Sequence, residues 1–363
     1  MKHLLLLGGG HAHVQVLQAL AVEPLPGVRV TLVSPFTRQL YSGMLPGWLA
    51  GHYTLDDCAI ALLPLAQRAC AEFIEAAATR IDAATRQVTL SNSQLLRYDV
   101  VSIDTGPVMN RDAIPGAREH GLFVRPIEHF AHLWDKLFAL STQRGLSVAV
   151  IGAGAAGVEL ACAMQYRLRD RARITLVTGG PPPLPEYSAE VRARARAALR
   201  RLSVTVLEDT CTGIAEQHVQ LQSGTRLQCD APVVAIGSSA PAWLAGSGLA
   251  LDAQGFIATA TTLQSTSHPD VFAAGDVASN LVLQRPKSGV FAVRAGPALA
   301  LNLRRYLGGG PLEEHLPKLR SLNLLACGRR SAIVSWGSWT SQGAWAWYWK
   351  NWIDRKFVAK YRA

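Results

Sequence analysis

The sequence predicts an α/β protein built around two Rossmann-like units, and two glycine-rich loops carry this prediction. The first loop, Gly8–His13, reads Gly-Gly-Gly-His-Ala-His, and the second loop, Gly152–Gly157, reads Gly-Ala-Gly-Ala-Ala-Gly. Each loop follows a short apolar run, Leu4–Leu7 or Ser147–Ile151, and leads into a stretch with helical periodicity. A strand, a glycine turn and a helix in this order are typical of the βαβ unit that binds a dinucleotide.

The other elements follow from hydrophobic periodicity and from turn residues. In the first part of the chain we expect the helix Ala12–Val22, the strand Val28–Val33, a loop over Arg38–Tyr53, an antiparallel meander over Phe73–Tyr98, the strand Asp99–Ile103 and a linker over Pro107–Gly121. Farther along we expect helices over Glu128–Thr142, Val158–Leu168, Ala189–Leu202 and Val290–Leu307, and strands over Ile174–Val177, Pro232–Gly237 and Val271–Ala274. Pro297 either kinks or starts the last helix.

The composition limits the classes to which the chain can belong. Its 363 residues are enough for two or three domains, and 49% hydrophobic with 17% charged residues exclude a disordered chain. No apolar run approaches the roughly 18 residues of a membrane-spanning helix. The six cysteines show neither a CxxC pair nor zinc-site spacing. Reduced, mostly buried thiols in a cytoplasmic protein are therefore expected.

The glycine loops predict where phosphates bind. Gly8 and Gly10 in the first loop, and Gly152, Gly154 and Gly157 in the second, permit a tight turn and a close approach of a pyrophosphate to the backbone. The helix that follows each loop offers unpaired N–H groups and the positive end of its dipole. Two such sites in one chain imply electron transfer between two cofactors, a pyridine nucleotide that comes and goes and a bound flavin.

Four positions of these units depart from the usual pattern or add to it. His13 stands where a third glycine would let helix and strand pack closely, so we expect a slightly lifted helix, with His11 among the nucleotide contacts. The acid that usually binds a ribose hydroxyl at the end of the second strand is absent from both units. Ser34 and Thr178 stand there instead. Ser34 can still bond a ribose, and Thr178 leaves the choice between NADH and NADPH open.

Four features in order resemble the pyridine nucleotide–disulfide oxidoreductase superfamily, over Met1 to about Leu307. They are the first loop, the triplet Asp104-Thr105-Gly106, the second loop with Glu159 two residues beyond it, and Ala273-Ala274-Gly275-Asp276. The resemblance implies a glutathione reductase-like FAD/NAD(P) fold. The FAD domain would comprise 1–106 and 229–307, an NAD(P)H domain over 107–228 would be inserted in it, and 308–363 would be a C-terminal extension.

The same resemblance implies roles for individual residues. Thr105, Gly106 and Gly275 would contact FAD, and the Asp276 carboxylate would bind its ribityl chain. Glu159 would position the nicotinamide, although a solvent-exposed or helix-capping glutamate is an open alternative. Lys287 would lie near the flavin and stabilise its reduced form. No metal ligand set is expected.

The branch of the superfamily is indicated by what stands beside the expected flavin. Disulfide reductases carry a CxxxxC pair in the region that here reads Tyr41–Gly47 without cysteine, which excludes a dithiol relay. Tyr41–Gly47, Arg285–Gly289 and Trp345–Phe357 resemble the type II NADH dehydrogenase-like branch. They are most similar to a subfamily with some members fused to a selenide, water dikinase. No kinase is expected within these 363 residues.

These features predict an FAD-dependent NAD(P)H dehydrogenase. Hydride would pass from NADH or NADPH to FAD, and two electrons would then pass to a quinone or another small acceptor. A sulfide:quinone oxidoreductase is an alternative that needs cysteines beside the flavin, for which Cys162 and Cys327 are the candidates. A non-catalytic flavoprotein redox sensor that acts through a partner is another.

The C-terminal segment holds most of the charge imbalance. Of the net charge of +10, the segment from Leu324 onward contributes +6, and it carries six of the nine tryptophans. Trp345, Trp349, Trp352 and Lys356 would share one side of a helix. This pattern predicts contact with an anionic membrane surface, with the protein peripheral on the inner face of the cell membrane. Packing on the flavin domain and a homodimer interface are the alternatives, and nucleic-acid binding is not expected because no binding module accompanies the charge.

Overall fold

The computed structural model describes residues 1–282, 287, 289–316 and 321–362. Within them the α-helices are α1 His11–Val22, α2 Leu45–Leu49, α3 Leu62–Arg68, α4 Ala117–His120, α5 Ile127–Leu140, α6 Ala155–Leu168, α7 Ala189–Arg201, α8 Gly289–Gly308 and α9 Ala344–Ala359. Short 3₁₀ turns cover Ser42–Met44, Asp56–Cys58, Arg169–Arg171, Ala242–Leu244 and Gly275–Val277.

The strands alternate with these helices along the chain. They are β1 Lys2–Leu7, β2 Val28–Ser34, β3 Arg38–Leu40, β4 Ala59–Ala61, β5 Ala71–Glu75, β6 Ala78–Asp82, β7 Gln87–Leu90, β8 Leu95–Arg97, β9 Val100–Ile103, β10 Leu122–Phe123, β11 Leu146–Ile151, β12 Ala172–Val177, β13 Thr205–Leu207, β14 Cys211–Ile214, β15 His218–Leu221, β16 Arg226–Gln228, β17 Ala231–Val234, β18 Ile257–Thr259, β19 Val271–Ala273, β20 Ala278–Asn280, β21 Leu322–Ala326, β22 Ala332–Trp336 and β23 Trp339–Gly343.

The first sheet is parallel, with strand order β19-β9-β1-β2-β5. On its central strand β1, Leu4 and Leu6 pack into one core, and Leu5 and Leu7 pack into another. Alternate side chains of a strand point to opposite faces, so both faces of this sheet are covered. A strand buried on both faces is continuously apolar, which explains the run of four leucines.

The second sheet is also parallel, with strand order β10-β17-β11-β12-β13. Its strands lie between residues 122 and 234, whereas those of the first sheet come from 2–103 and 271–273. The second α/β domain is thus inserted in the first, as the sequence predicts. The glycine loops begin where the central strands β1 and β11 end, which is the ligand-binding edge of parallel sheets.

Several elements differ from the sequence-based expectation. The stretch 38–53 is not only a loop, because it contains β3 and the short helix α2, in which Pro46 stands near the helix start as proline can. The meander expected from Phe73 begins later: β5 joins the first parallel sheet, and only β6, β7 and β8 are antiparallel. The strand β17 pairs in the second sheet, beyond the boundary expected at residue 228.

The helix α8 shows how the fold tolerates Pro297 in a helix interior. Proline has no N–H, so the carbonyl of Val293, four residues earlier, loses its helical partner. Gln15 on α1 supplies the replacement, because its Nε2 donates to the Val293 oxygen at 2.5 Å. Pro297 therefore neither starts nor ends α8, and α1 and α8 are joined at this position.

The C-terminal segment packs between the two domains. On β22, Ile333 belongs to the core of the second domain, whereas Ala332 and Val334 belong to that of the first. The antiparallel sheet β21-β22-β23 leads into α9, which buries Trp347 and Val358 in the first-domain core. Packing on the flavin domain, an alternative at the sequence level, therefore holds for one side of this helix. Among the described residues no helix is both long and apolar enough to cross a bilayer.

Candidate functional site

A cavity of about 430 Å³ lies at the carboxyl edge of the first sheet, within the size range of ligand sites. The first loop, the ends of β2 and β9 and the start of α8 contribute to its walls. Of the residues predicted from sequence, it brings together Gly8, Gly10, His11, Ser34, Thr105, Gly106 and Asp276. Arg111, Arg125 and Glu128 also line it, and none of them was predicted.

Asp104 is the buried centre of this wall. Its Oδ2 accepts hydrogen bonds from the backbone N–H groups of Ala12 at 2.8 Å and His13 at 3.0 Å, at the N-terminus of α1. A side chain at Gly10 would collide with this carboxyl group, and a Cβ at Gly275 would lie 2.5 Å from Asp104 Oδ1. Burial raises the pKa of Asp104 to about 7, against the two N–H donors that lower it. These glycines thus make room for a carboxyl group of the protein itself.

His13 is accommodated by hydrogen bonds. Its ring is fully buried, with Nδ1 2.6 Å from the Gly8 oxygen and Nε2 2.8 Å from Ser102 Oγ. Burial lowers the pKa of His13 to about 4, so the imidazole is neutral at physiological pH. The partners assign the tautomer, since Nδ1–H must donate to the carbonyl and Nε2 then accepts from the hydroxyl.

His11 lines the cavity and carries a nitrogen without a hydrogen-bond partner among the described residues. This nitrogen is Nε2, and it is buried. The ring contacts Tyr41 at a centroid distance of 5.3 Å and Phe357 of α9 at 6.1 Å. Burial, reinforced by Arg125, lowers the pKa of His11 to about 4. A neutral imidazole at this position can donate or accept one hydrogen bond to a bound molecule.

Asp276 and Arg125 form the charged end of the cavity. Arg125 Nη2 lies 3.5 Å from Asp276 Oδ2 in an ion pair between the two domains' segments. Burial raises the pKa of the Asp276 carboxyl, and the charges of Arg125 and Lys287 oppose this. Lys287 Nζ itself donates to the Ala278 oxygen at 2.6 Å and lies 3.8 Å from the centre of the Phe256 ring. Its Ser288 neighbour and Arg285–Pro286, part of the predicted motif, lie outside the described residues.

Three further predicted residues, which have short side chains or none, line the cavity. The Ser34 hydroxyl donates to the Phe36 oxygen at 2.9 Å, which closes the turn after β2. The Thr105 hydroxyl lies 3.4 Å from the Gly106 oxygen. Gly106 has a φ of +70°, and a Cβ there would meet no atom within 4 Å. Oxygen atoms and bare backbone are therefore what this part of the wall offers a ligand.

The second loop lies at the matching edge of the second sheet. A Cβ at Gly157 would collide with the Gly152 oxygen, so α6 packs closely on its strand. A Cβ at Gly154 would meet no atom within 4 Å, which leaves open space beside the helix N-terminus. Thr178 is buried at the end of β12, where its backbone N–H donates to the Leu207 oxygen at 3.0 Å. The space beside Gly154 is therefore open, whereas the space beside Gly10 of the first loop is filled by Asp104.

Glu159 lies outside the cavity. Its Oε1 accepts a hydrogen bond from the backbone N–H of Ala326 on β21 at 2.7 Å, which ties α6 to the C-terminal sheet. Burial raises the pKa of Glu159 to about 7, and the positive charge of Lys350 on α9 opposes the rise. The cysteines Cys162 and Cys327 are buried nearby, and burial raises the pKa of Cys327 to about 12 and that of Cys162 well above its ordinary value.

The residues of the cavity fit a flavin dinucleotide. The walls run from Ser34 at the end of β2 to Asp276, as a long ligand with a ribose at one end requires. The Asp276 carboxylate, which pairs with Arg125, can accept hydrogen bonds from hydroxyl groups. His11 offers a buried nitrogen that lacks a partner among the described residues.

Two dinucleotide-type loops on two parallel sheets, one domain inserted in the other, define a two-nucleotide oxidoreductase. The family model for pyridine nucleotide-disulphide oxidoreductases matches residues 2–296, most of the chain. The chain belongs to this family. It is therefore an oxidoreductase that uses FAD and NAD(P)H.

The individual relatives share between a fifth and about a quarter of their residues with this chain. The chain is 27% identical over 324 residues to a demethylphylloquinone reductase from Synechocystis sp., covering 84% of this chain and 76% of that relative. It is 24% identical over 351 residues to a type II NADH:quinone oxidoreductase from Staphylococcus aureus, covering 86% and 84%. A crystal structure of the sulfide:quinone oxidoreductase from Aquifex aeolicus superposes with a TM-score of 0.82 at 20% identity, covering 100% of this chain and 92% of that one. At that identity the superposition establishes the fold alone.

Proposed function

We propose that the protein is an NAD(P)H:quinone oxidoreductase. The pair of glycine loops carries this proposal, because each opens a helix at the ligand-binding edge of its own parallel sheet. The relatives named as NADH:quinone and demethylphylloquinone reductases support a quinone as the acceptor. The balanced reaction is NAD(P)H + H⁺ + quinone → NAD(P)⁺ + quinol.

The proposed flavin site is the cavity of the first domain. FAD, when bound, takes a hydride from the nicotinamide and gives two electrons to the acceptor. Its pyrophosphate lies beside the first loop at the start of α1, where Gly8, Gly10 and Gly275 leave room for Asp104 in the wall, and Thr105 and Gly106 keep the adjoining wall free of bulk. Ser34 and Asp276 hold ribose and ribityl hydroxyls, His11 donates or accepts one hydrogen bond, and Lys287 with Arg125 offsets negative charge.

The proposed nucleotide site is the second loop. Gly152, Gly154 and Gly157 receive the pyrophosphate of NAD(P)H at the N-terminus of α6. Thr178, at the ribose end, carries no charge, and NADH and NADPH are both candidates for the donor. Glu159 on α6 is proposed to act as a positioning residue, because its hydrogen bond to Ala326 fixes the loop-bearing helix against the C-terminal sheet.

The test is an anaerobic titration of the purified flavoprotein with NADH and with NADPH, followed by a quinone. We expect at least one nucleotide to bleach the flavin absorbance and the quinone to restore it. The variant Gly157→Ala should keep its flavin but resist bleaching, because the added Cβ collides with the Gly152 oxygen. Gly145→Ala is the matched control, since a Cβ at Gly145 meets no atom within 4 Å. A flavin that stays oxidised with both nucleotides would overturn the proposal.

Sulfide as the electron donor is disfavoured by the thiols. A cysteine that attacks sulfur must be a thiolate, and burial raises the pKa of both Cys162 and Cys327 far above neutrality. Neither of these cysteines lines the cavity. Bleaching of the flavin by sulfide under the same anaerobic conditions would reverse this judgement.

We also propose that the acceptor is reached from a membrane surface. The outer side of α9 and the β22–β23 hairpin expose an aromatic face whose members are 47–58% exposed: Trp336, Trp339, Trp345, Tyr348 and Trp352. Aromatic side chains of this kind suit the headgroup boundary of a bilayer. The protein should float with anionic vesicles at low salt. If it sedimented as a dimer and ignored vesicles, the aromatic face would be a subunit interface instead.

A further inference from the structure

The N-terminus of α1, where the pyrophosphate of a dinucleotide would bind, already holds an anion of the protein. Asp104 Oδ2 accepts from two N–H groups there, those of Ala12 and His13. Its side chain is 2% exposed and lines the same cavity as the first loop. A carboxylate and a bound diphosphate would therefore compete for one small region of positive potential.

The charges around Asp104 do not offset the negative charge that a carboxylate and a diphosphate would bring together. Asp276, on the turn that contacts Asp104 through Gly275, adds a second carboxylate, and Arg125 is already paired with it. The two histidines of α1 that face this region, His11 and His13, are neutral at physiological pH. The positive charge of Lys287 interacts with the Asp276 carboxylate. Like charges brought together in a buried site are costly, and the usual relief is protonation of one of them.

We propose that Asp104 takes up one proton from solvent when the flavin binds, so that cofactor affinity falls as the pH rises. The carboxylate becomes a neutral acid, and Oδ2 continues to accept the N–H groups of Ala12 and His13. This inference rests on the proposed location of the flavin in the cavity. It makes Asp104 a positioning residue for the cofactor whose protonation sets how tightly the cofactor is held.

The range in which this coupling acts follows from burial. The pKa of Asp104 is raised to about 7, whereas those of His11 and His13 are lowered to about 4 and do not titrate between pH 6 and 8. Arg125 stays charged throughout. If only the protonated form binds, the dissociation constant of FAD increases about tenfold from pH 6 to pH 8.

The experiment measures FAD release from the purified holoprotein on dilution, by flavin fluorescence, at pH 6 and pH 8. The wild-type protein should show the roughly tenfold change. Asp104→Asn keeps an acceptor for the two N–H groups without a charge, and its dissociation constant should be nearly the same at both values. Asp170→Asn, an exposed carboxylate on the second domain, is the matched control and should behave as the wild type. Thermal melts of each variant establish that folding is retained.

Calorimetry of FAD rebinding in buffers of different ionisation enthalpy counts the protons directly. We expect an uptake approaching one proton at pH 8 in the wild type and close to none in Asp104→Asn. A tenfold pH effect that persists in Asp104→Asn would assign the proton to another group, such as Asp276, and overturn the inference. If FAD binds without proton uptake, this inference is wrong but the proposed flavin site stands. If the cavity binds no FAD at either pH, the proposed flavin site is wrong as well.

Discussion

Buried polar residues of the first loop decide how that loop can work. His13 replaces a glycine in a position where close packing is the rule, and it bridges the Gly8 carbonyl and the Ser102 hydroxyl from inside the core. This imidazole is favoured in its neutral form, because the ring is fully buried and burial of a charged group is costly. His13 therefore makes the loop sensitive to acid.

The variant His13→Gln tests this dependence. Glutamine can still donate to a carbonyl and accept from a hydroxyl, but it does not titrate. The wild type loses stability as the pH falls below the ordinary histidine value of 6.5 towards about 4, since the unfolded chain then binds a proton that the folded one does not. The destabilisation caused by His13→Gln should thus shrink by about 2 kcal/mol between pH 7.5 and pH 5. Urea unfolding at both values measures it.

A control histidine separates this effect from general acid sensitivity. His120 is exposed, and His120→Gln is measured at the same two pH values as the control. If His13→Gln and His120→Gln behaved alike, the buried neutral imidazole would not be the acid-sensitive group.

At the scale of elements, a side chain of one helix can supply the hydrogen bond that the backbone of another helix lacks. Pro297 frees the Val293 carbonyl inside α8, and Gln15 of α1 binds it. A buried carbonyl without a partner costs about 1–3 kcal/mol. The hydrogen bond from Gln15 offsets this cost, and α8 can therefore contain Pro297.

The variant Gln15→Leu should therefore lower the free energy of unfolding by about 1–3 kcal/mol, although leucine is apolar and similar in size. Chemical denaturation followed by circular dichroism measures the change. Gln143→Leu, at an exposed glutamine, should shift it by less than about 0.5 kcal/mol. An unchanged stability for Gln15→Leu would mean that water or a shifted helix satisfies the Val293 carbonyl.

The elements also show which parts of the molecule can be predicted from sequence. The glycine loops, the buried strands β1 and β11 and the helices after them are local patterns, and the sequence predicts them. The contact of Asp104 with Ala12 spans 92 residues, that of Glu159 with Ala326 spans 167 and that of Gln15 with Val293 spans 278. Such pairs leave no spacing signal, which is why Arg125 and the role of the Asp104 carboxyl were missed. The sheet β21-β22-β23 was missed because its short strands pack between domains rather than on one core.

An ion pair inside α9 corrects the interpretation of its charges. Lys350 belongs to the basic C-terminal segment that the sequence predicts to contact a membrane surface, but its side chain points inward. Its Nζ lies 2.7 Å from Asp354 Oδ2 and 2.6 Å from the Gly43 oxygen, and the two side chains are 12% and 6% exposed. Lys350→Met leaves Asp354 buried without its cation and should destabilise the protein by about 3–5 kcal/mol.

Thermal and chemical unfolding of a double-mutant cycle checks this value. Adding Asp354→Leu to Lys350→Met should recover much of the loss, because no unpaired charge then stays buried. The exposed pair Arg118–Asp112 is the control, and Arg118→Ala should cost less than about 1 kcal/mol. Equal effects of Lys350→Met and Arg118→Ala would show that the α9 pair is as well solvated as a surface pair.

At the scale of the whole molecule, the excess positive charge and the aromatic face act differently on a membrane. Lys350 is buried, Arg355 pairs with Asp57 and Arg362 binds the Asp56 carbonyl, so part of the basic set is engaged within the protein. Each basic residue that faces an anionic surface contributes about 1 kcal/mol, and salt screens this contribution. A half-exposed tryptophan buries on the order of 100 Å² in the interface, worth about 2.5 kcal/mol. The aromatic face, with four half-exposed tryptophans and Tyr348, should therefore contribute more than the basic residues.

Vesicle flotation at two salt concentrations tests this ranking. The wild type should still float with anionic vesicles at about 0.5 M NaCl, where the Debye length is under 10 Å. The double variant Trp345→Ser and Trp352→Ser should float much less than the wild type at both salt concentrations, because about 5 kcal/mol of apolar burial is lost. The double variant Lys356→Gln and Lys360→Gln, in the last turn of the same helix and directly after it, should weaken flotation only at low salt. Wild-type binding abolished by salt would show instead that the basic residues, and not the tryptophans, direct the flavoenzyme to its acceptor.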